Sequence, residues 1–192
     1  LLDLPMDIQR ANITPSRLKH FDPQEINLKN DTDIVLEKKI DECIKLIQGS
    51  RRPVVLVGGG VRNARATIEL RNFVEAMGFP VAVTLCGLDS FDHSHWLYAG
   101  FIGVYGQRGA NFTVANSDLL IGIGTRFDSR QTGTQPRTFA RASKKIVVDI
   151  DPQELNRRVR ADIAIASDAK RFLITLNKKI KNIKKPDICE WL

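Results

Sequence analysis

From residue 32 onward, apolar positions switch between two spacings. Short runs that are apolar throughout stand at Pro53–Val57 and at 80–84, 118–123, 145–150 and 162–166. Each reads as a buried strand. Between them the spacing turns helical. Ile34, Ile40, Cys43, Ile44 and Ile47 share one face of a predicted helix that Thr32 or Asp33 caps and that runs to about Gly49. A second predicted helix, over 64–77, collects Leu70, Phe73, Val74 and Met77 and stops at Gly78. A shorter one covers 110–116. In the last, Phe172, Leu173, Leu176, Ile180 and Ile183 alternate with basic residues. Apolar strands separated by helices predict an α/β fold, a parallel sheet covered on both faces. Residues 86–107 show little period. Ahead of all this, LLDLPMDIQ predicts a short strand, and the polar, Pro-containing stretch to about residue 31 predicts a linker.

Composition narrows the class. The 192 residues suffice for one sizeable domain with appendages. A hydrophobic content of 43% with 27% charged residues is ordinary for a soluble globular chain. No apolar run approaches the roughly 20 residues of a membrane span, so no membrane role is expected. Leu1 is not an initiator methionine, and no basic, apolar leader follows it. The sequence thus reads as a processed or excised piece. Cys43, Cys86 and Cys189 fit neither a zinc spacing nor a disulfide framework, which predicts a reducing, cytoplasmic home. Cys43 and Cys86 read as small core residues. The net charge of +7 raises the question of nucleic acid. Much of the excess, however, lies on the polar face of the last helix, and aromatic content is only 7%. No nucleic-acid partner is expected.

Candidate chemistry lies at the strand ends, where open parallel sheets bind ligands. After the first strand comes Gly58-Gly59-Gly60-Val61-Arg62-Asn63. Glycines allow close backbone approach, and helix-start amides favour an anion. As a dinucleotide fingerprint the run is imperfect. Asn63 stands where a third glycine belongs, and no acidic residue ends the second strand. Thr84 and Leu85 follow the second strand. Gly122-Ile-Gly-Thr-Arg-Phe-Asp-Ser-Arg ends the third, where Arg126 and Arg130 are suited to phosphate oxygens. Asp128 either accepts from a hydroxyl or pairs with an arginine to pin the loop. Asp149, Ile150, Asp151 and Glu154 end the fourth; there Asp151-Pro152 also reads as a helix start. These ends together predict an extended ligand with a pyrophosphate and a sugar, such as FAD or ADP. His93 and His95, without a third ligand, read as loop residues. Neither a metal site nor a catalytic set is expected in the chain.

RPVVLVGGG, FPVAVTLCGLDS, GFIGVYGQRGANFTVANSDLLIGIGTRFDSRQTG and KKIVVDIDPQEL together resemble the central domain of thiamine-diphosphate-dependent enzymes, nearest to the acetolactate synthase large subunit. The resemblance runs from about residue 51 to 177. It implies a Rossmann-like parallel sheet over 32–185. Residues 1–31 would be the end of a preceding pyrimidine-binding domain with its linker, and 186–192 the start of the next linker. It implies a parent enzyme that decarboxylates and joins 2-keto acids with thiamine diphosphate and Mg²⁺ held in domains this chain lacks, so that the piece alone is inactive. The parent would be a homodimer or homotetramer, with or without a regulatory subunit. In such domains FAD is bound structurally, and in some relatives ADP replaces it. The positions implied for the ligand are Gly58, Gly59, Gly60, Thr84, Leu85, Gly103, Tyr105, Gly106, Gly124, Arg126, Asp128, Arg130, Asp149, Ile150, Glu154, Ser167 and Asp168. Val104-Tyr105-Gly106 departs from the family's usual Met-His-Gly, so the flavin end is altered. Two rival readings stand beside it, a structural spacer with a vestigial pocket and a basic nucleic-acid-binding domain; an NAD site of the sirtuin-like kind is weakened by the absent catalytic histidine context and zinc cysteines.

Overall fold

The computed structural model describes residues 3–22 and 30–191. Six strands, β1 (Pro53–Val57), β2 (Val81–Val83), β3 (Tyr98–Phe101), β4 (Leu119–Ile123), β5 (Lys144–Asp149) and β6 (Ile163–Ala166), form one sheet in the order β3-β2-β1-β4-β5-β6. Every neighbouring pair is parallel. This is the doubly wound order, and the chain reverses direction across the sheet between β1 and β4.

The strands are apolar throughout because both faces are covered. Side chains alternate along a strand. Val55 and Val57 enter the larger core with Ile121, Ile123, Ile146 and Val148. Helices α2 (Asp33–Gly49), α4 (Thr67–Met77) and α7 (Ala169–Ile180) supply Leu36, Ile40, Phe73, Phe172 and Leu176 to that side. Val54, Leu56, Leu120 and Val147 face the other way, against Ala110 and Val114 of α5 (Arg108–Asn116) and the loop residues Phe127, Ala140 and Val159. The predicted parallel sheet with helices on both faces is the observed fold.

Several predicted elements differ in detail. Thr32 is the cap of α2, its hydroxyl accepting from Val35 N at 3.4 Å. Ile34, however, is 70% exposed, and Leu36 takes its place in the core. The helix expected over 64–77 starts later, as α4, and is preceded by a separate short helix, α3 (Gly59–Asn63). Arg65 breaks them with φ +52°, and Ala66 N closes back onto Val61 O at 2.9 Å. Gly78 ends α4 in the left-handed conformation, as expected. β3 lies inside the stretch without period. It is an edge strand, only partly buried and interrupted by Gly100 at φ +110°, so it carries no apolar run. No helix starts at Asp151-Pro152. Asp151 Oδ1 accepts from Gln153 N at 3.0 Å, making a local turn instead.

At the start, Met6–Gln9 form the short, fully exposed helix α1 where a strand was expected. Leu1, Leu2 and residues 23–29 of the predicted strand and linker lie outside the described residues, as does Leu192. Asp31 docks on the outer strand β6. Its amide donates to Ala166 O at 2.7 Å, and its carboxylate accepts from Ala166 N at 3.1 Å and pairs with Lys39 at 2.7 Å. At the other end, Ile188 is buried in the larger core, and Trp191 Nε1 donates to Pro53 O at 2.9 Å.

Candidate functional site

The loops that leave β1 and β4 are built into each other. Gly58 N donates to Ile123 O at 3.0 Å and Gly60 N to Gly124 O at 3.1 Å, while Gly124 N reaches Val148 O at 2.9 Å. A Cβ on Gly58 would overlap the Gly124 carbonyl, and one on Gly60 would stand 2.7 Å from the Gly124 Cα. The glycines were expected to let backbone approach a ligand. Here Gly58 and Gly60 let two loops approach each other, and their amides are engaged in doing so. Helix α3, which follows, spans five residues, too short for a sizeable dipole.

Phe127 organises the next segment. Its ring is 4% exposed, lies over Gly122 and meets Phe139 edge-on at 5.9 Å. Its backbone adopts φ +51°. With this ring turned into the core, the flanking Arg126 and Asp128 are exposed. Asp128 forms no pinning ion pair with an arginine. It caps α6 (Ser129–Thr132), its Oδ1 accepting from Arg130 N at 2.8 Å and Gln131 N at 3.2 Å. Among the described residues, the nearest carboxylate to the Arg126 guanidinium is Glu154 Oε1 at 3.9 Å, and Glu154 is already paired with Arg157 at 2.7 Å. Arg126, 75% exposed, is thus available to a ligand.

These loops wall a cleft of about 490 Å³ at the carboxyl ends of β1, β2, β4, β5 and β6. It is lined by Gly58, Gly59, Gly60, Thr84, Gly124, Arg126, Asp128, Asp149, Ile150, Ser167 and Asp168, all expected from the sequence. Arg62, Asn63, Cys86, Thr125, Gln131 and Val148 also line it, with Ala64 and Ala169. Of these, the stretch Gly122 to Gly133 already contained Thr125 and Gln131, which bond to each other through Oγ1 and Oε1 at 3.1 Å. Cys86 was expected in the core, yet it is exposed and lines the cleft. Cys43 is the buried thiol, and burial pushes its pKa up to about 12.

Other expected residues lie outside the cleft. Leu85, Gly103, Tyr105, Gly106 and Arg130 do not line it. Gly103 is tied to α5, its N donating to Asn111 Oδ1 at 3.0 Å, Val104 N donates to Arg130 O of α6 at 2.9 Å, and Tyr105 is 78% exposed. Glu154 lines a smaller neighbouring hollow with Arg126, Arg157 and Arg158. His93 Nε2 is bonded within its loop to Leu88 O at 2.7 Å, and His95 Nε2 to Glu75 Oε1 of α4 at 3.0 Å. Among the described residues, no group of three or more His, Cys, Asp or Glu is placed to hold a metal ion. No helix among them is long and apolar enough to cross a membrane.

Asp149 is the buried acid of the cleft. Burial raises its pKa above the usual carboxylate range, against the Asp151 amide that donates to Oδ1 at 2.9 Å. A raised folded-state pKa adds stability below the unfolded value of about 3.9 that is lost as pH rises through the folded value. Asp149→Asn should therefore be more stable than the parent chain at pH 7, with the difference shrinking toward pH 4. Thermal unfolding of both chains across that range checks this. An advantage that grows on acidification contradicts it.

The fold and cleft define an open α/β domain with a hollow where the strand order reverses. Residues 40–176 match the family described as the thiamine pyrophosphate enzyme central domain, and the chain belongs to that family. It is 36% identical over 202 residues to a probable acetolactate synthase large subunit of Methanococcus aeolicus, covering 100% of this chain and 33% of that protein. It is 38% identical over 196 residues to the acetolactate synthase large subunit of Corynebacterium glutamicum, covering 100% of this chain and 30% of that one. An isozyme 2 large subunit from Escherichia coli is 32% identical, with 34% of its length covered. The chain thus spans about a third of the length of these relatives.

Proposed function

We propose that this chain is the central domain of an acetolactate-synthase-like enzyme, and that its own role is to hold an ADP moiety, that of FAD or ADP itself, as a structural ligand. The convergence of residues from successive strand ends on one cleft carries this reading. The cleft's volume lies within the usual range for small-molecule sites. Its chemistry fits such a group: Arg126 offers an exposed guanidinium, held only loosely by Glu154, to a diphosphate, and Asp149, Ser167 and the exposed Ile150 suit a ribose and base. FAD would act there by filling space between domains, without a redox step. The parent would join 2-keto acids on thiamine diphosphate and Mg²⁺ held by its flanking domains, in the cytoplasm, as a dimer or tetramer.

A second reading, a spacer with a relic cleft, is favoured by one observation. The Gly58 and Gly60 amides serve the loop interlock, so their glycines are explained without a ligand. Isothermal titration of the chain with FAD, ADP and NAD separates the two. Equal affinity for FAD and ADP fits a cleft that excludes Tyr105. Tighter FAD binding means that Leu85 or the 103–106 loop touches the flavin. Saturation by none of the three supports the spacer. In a folded Arg126→Ala chain, ADP affinity should fall by about 1.5–3 kcal/mol, roughly ten- to a hundredfold. Unchanged affinity removes Arg126 from the diphosphate contact.

A further inference from the structure

Cys86 is the thiol of the nucleotide cleft, and packing fixes it there. It sits in the short turn Leu85–Ser90, exposed and lining the cleft. That turn rests on the glycine loop after β1. A Cβ on Gly59 would stand 2.7 Å from the Cys86 carbonyl oxygen and 3.5 Å from the Cys86 Cβ, and one on Gly87 would stand 2.5 Å from Val57 O. Arg62 of α3 closes the contact, donating to Asp89 Oδ2 at 2.7 Å. Backbone meets backbone, so the turn has no room to swing and Cys86 keeps its place in the cleft wall. The same wall carries a sign of a ligand. Thr84, two residues earlier, lines the cleft and is only 1% exposed. Among the described residues its hydroxyl has no hydrogen-bond partner, yet it is not sealed from the cleft. Leu85 between them is 54% exposed and lies outside the cleft. A buried hydroxyl without a partner calls for a polar atom against it. A ligand that supplies this atom lies on the wall that carries the thiol.

The other two thiols lie elsewhere. Cys43 is buried in the larger core. Cys189 is exposed, but it stands two residues before Trp191, whose Nε1 bonds to Pro53 O at the start of β1, whereas the cleft lies at the strand's carboxyl end. We infer that Cys86 is a site of reversible disulfide modification, and that a group bonded there and a nucleotide in the cleft exclude each other. The exclusion rests on the nucleotide reading above. In the exchange, the Cys86 sulfur attacks one sulfur of oxidised glutathione. The S–S bond of that reagent breaks and a mixed disulfide forms on Cys86. The released glutathione thiolate takes up the proton that Cys86 lost. Cys86 is oxidised, and the released half of the reagent is reduced. The tripeptide left on Cys86 then takes up space in the cleft of about 490 Å³ that the nucleotide would fill.

The test treats the 192-residue chain with oxidised glutathione, with and without saturating ADP, and maps the adducts by peptide mass spectrometry. Without ADP, adducts are expected on Cys86 and Cys189 and none on Cys43. ADP should slow the Cys86 adduct at least about tenfold and leave Cys189 unchanged, so that Cys189 serves as the control within the same molecule. In a Cys189→Ser chain, glutathionylation should weaken ADP binding at least about tenfold in calorimetry, and dithiothreitol should restore it. A Cys86 that stays unmodified overturns the proposal. So does equal ADP affinity before and after modification, or a Cys86 rate that ADP leaves unchanged while calorimetry shows ADP bound. A chain that binds no ADP before any modification overturns the nucleotide reading and the exclusion together, and the adduct map then decides the modification by itself.

Discussion

Gly58→Ala should destabilise the domain by about 3 kcal/mol or more, at the upper end for overpacking. The backbone at Gly58 is ordinary, with φ −103°, so the effect is purely one of space. The added methyl meets the Gly124 carbonyl and the Thr125 Cα, and backbone has no rotamer through which to yield. Separating the loops would also break the Gly60 N to Gly124 O bond. Gly109 provides the contrast. It lies in α5, where an added Cβ meets nothing within 4 Å, and alanine there should stabilise by about 0.5–1 kcal/mol. Urea unfolding of the three chains followed by circular dichroism measures both effects. A Gly58→Ala chain as stable as the parent would show that the loops part freely, and the interlock would lose its role.

Phe127→Ala should lose about 3–5 kcal/mol, the range for removing a buried phenylalanine ring. The ring is the wedge between β4 and Phe139, and alanine would inherit the left-handed backbone without the packing that holds it there. The change should also weaken ADP binding in whatever fraction remains folded, because Arg126 and Asp128 owe their outward placement to the inward ring. Unfolding curves with and without saturating ADP separate the two effects, since a bound ligand stabilises in proportion to its affinity. If ligand stabilisation is undiminished in the variant, Phe127 serves packing alone.

The sheet was legible because its strands are buried on both faces and therefore read as unbroken apolar runs. β3 was not, since an edge strand with Gly100 at its centre has no such run. The helix over 64–77 was misjudged at its start because periodicity carries no sign of the reversal at Arg65. Much of the cleft was readable from one rule, that ligands meet parallel strands at their carboxyl ends. What a residue does there was harder to read. Asp128 looks the same in sequence whether it accepts from a ligand or caps α6, and only its distances to Arg130 N and Gln131 N distinguish the two. Cys86 gave no signal because a small apolar residue after a strand is usually interior, whereas the turn Leu85–Ser90 carries it into the open.

The docking of Asp31 on β6 reaches beyond local hydrogen bonding. An outer strand offers its free amides and carbonyls to any other extended chain, the usual route to strand exchange and fibrous assembly. Asp31 occupies both groups of Ala166, one with its backbone and one with its carboxylate, and so imitates a paired neighbour over a single residue. The segment ahead of α2 thereby closes this end of the sheet's margin, where one pair of groups fewer is left for another extended chain to meet.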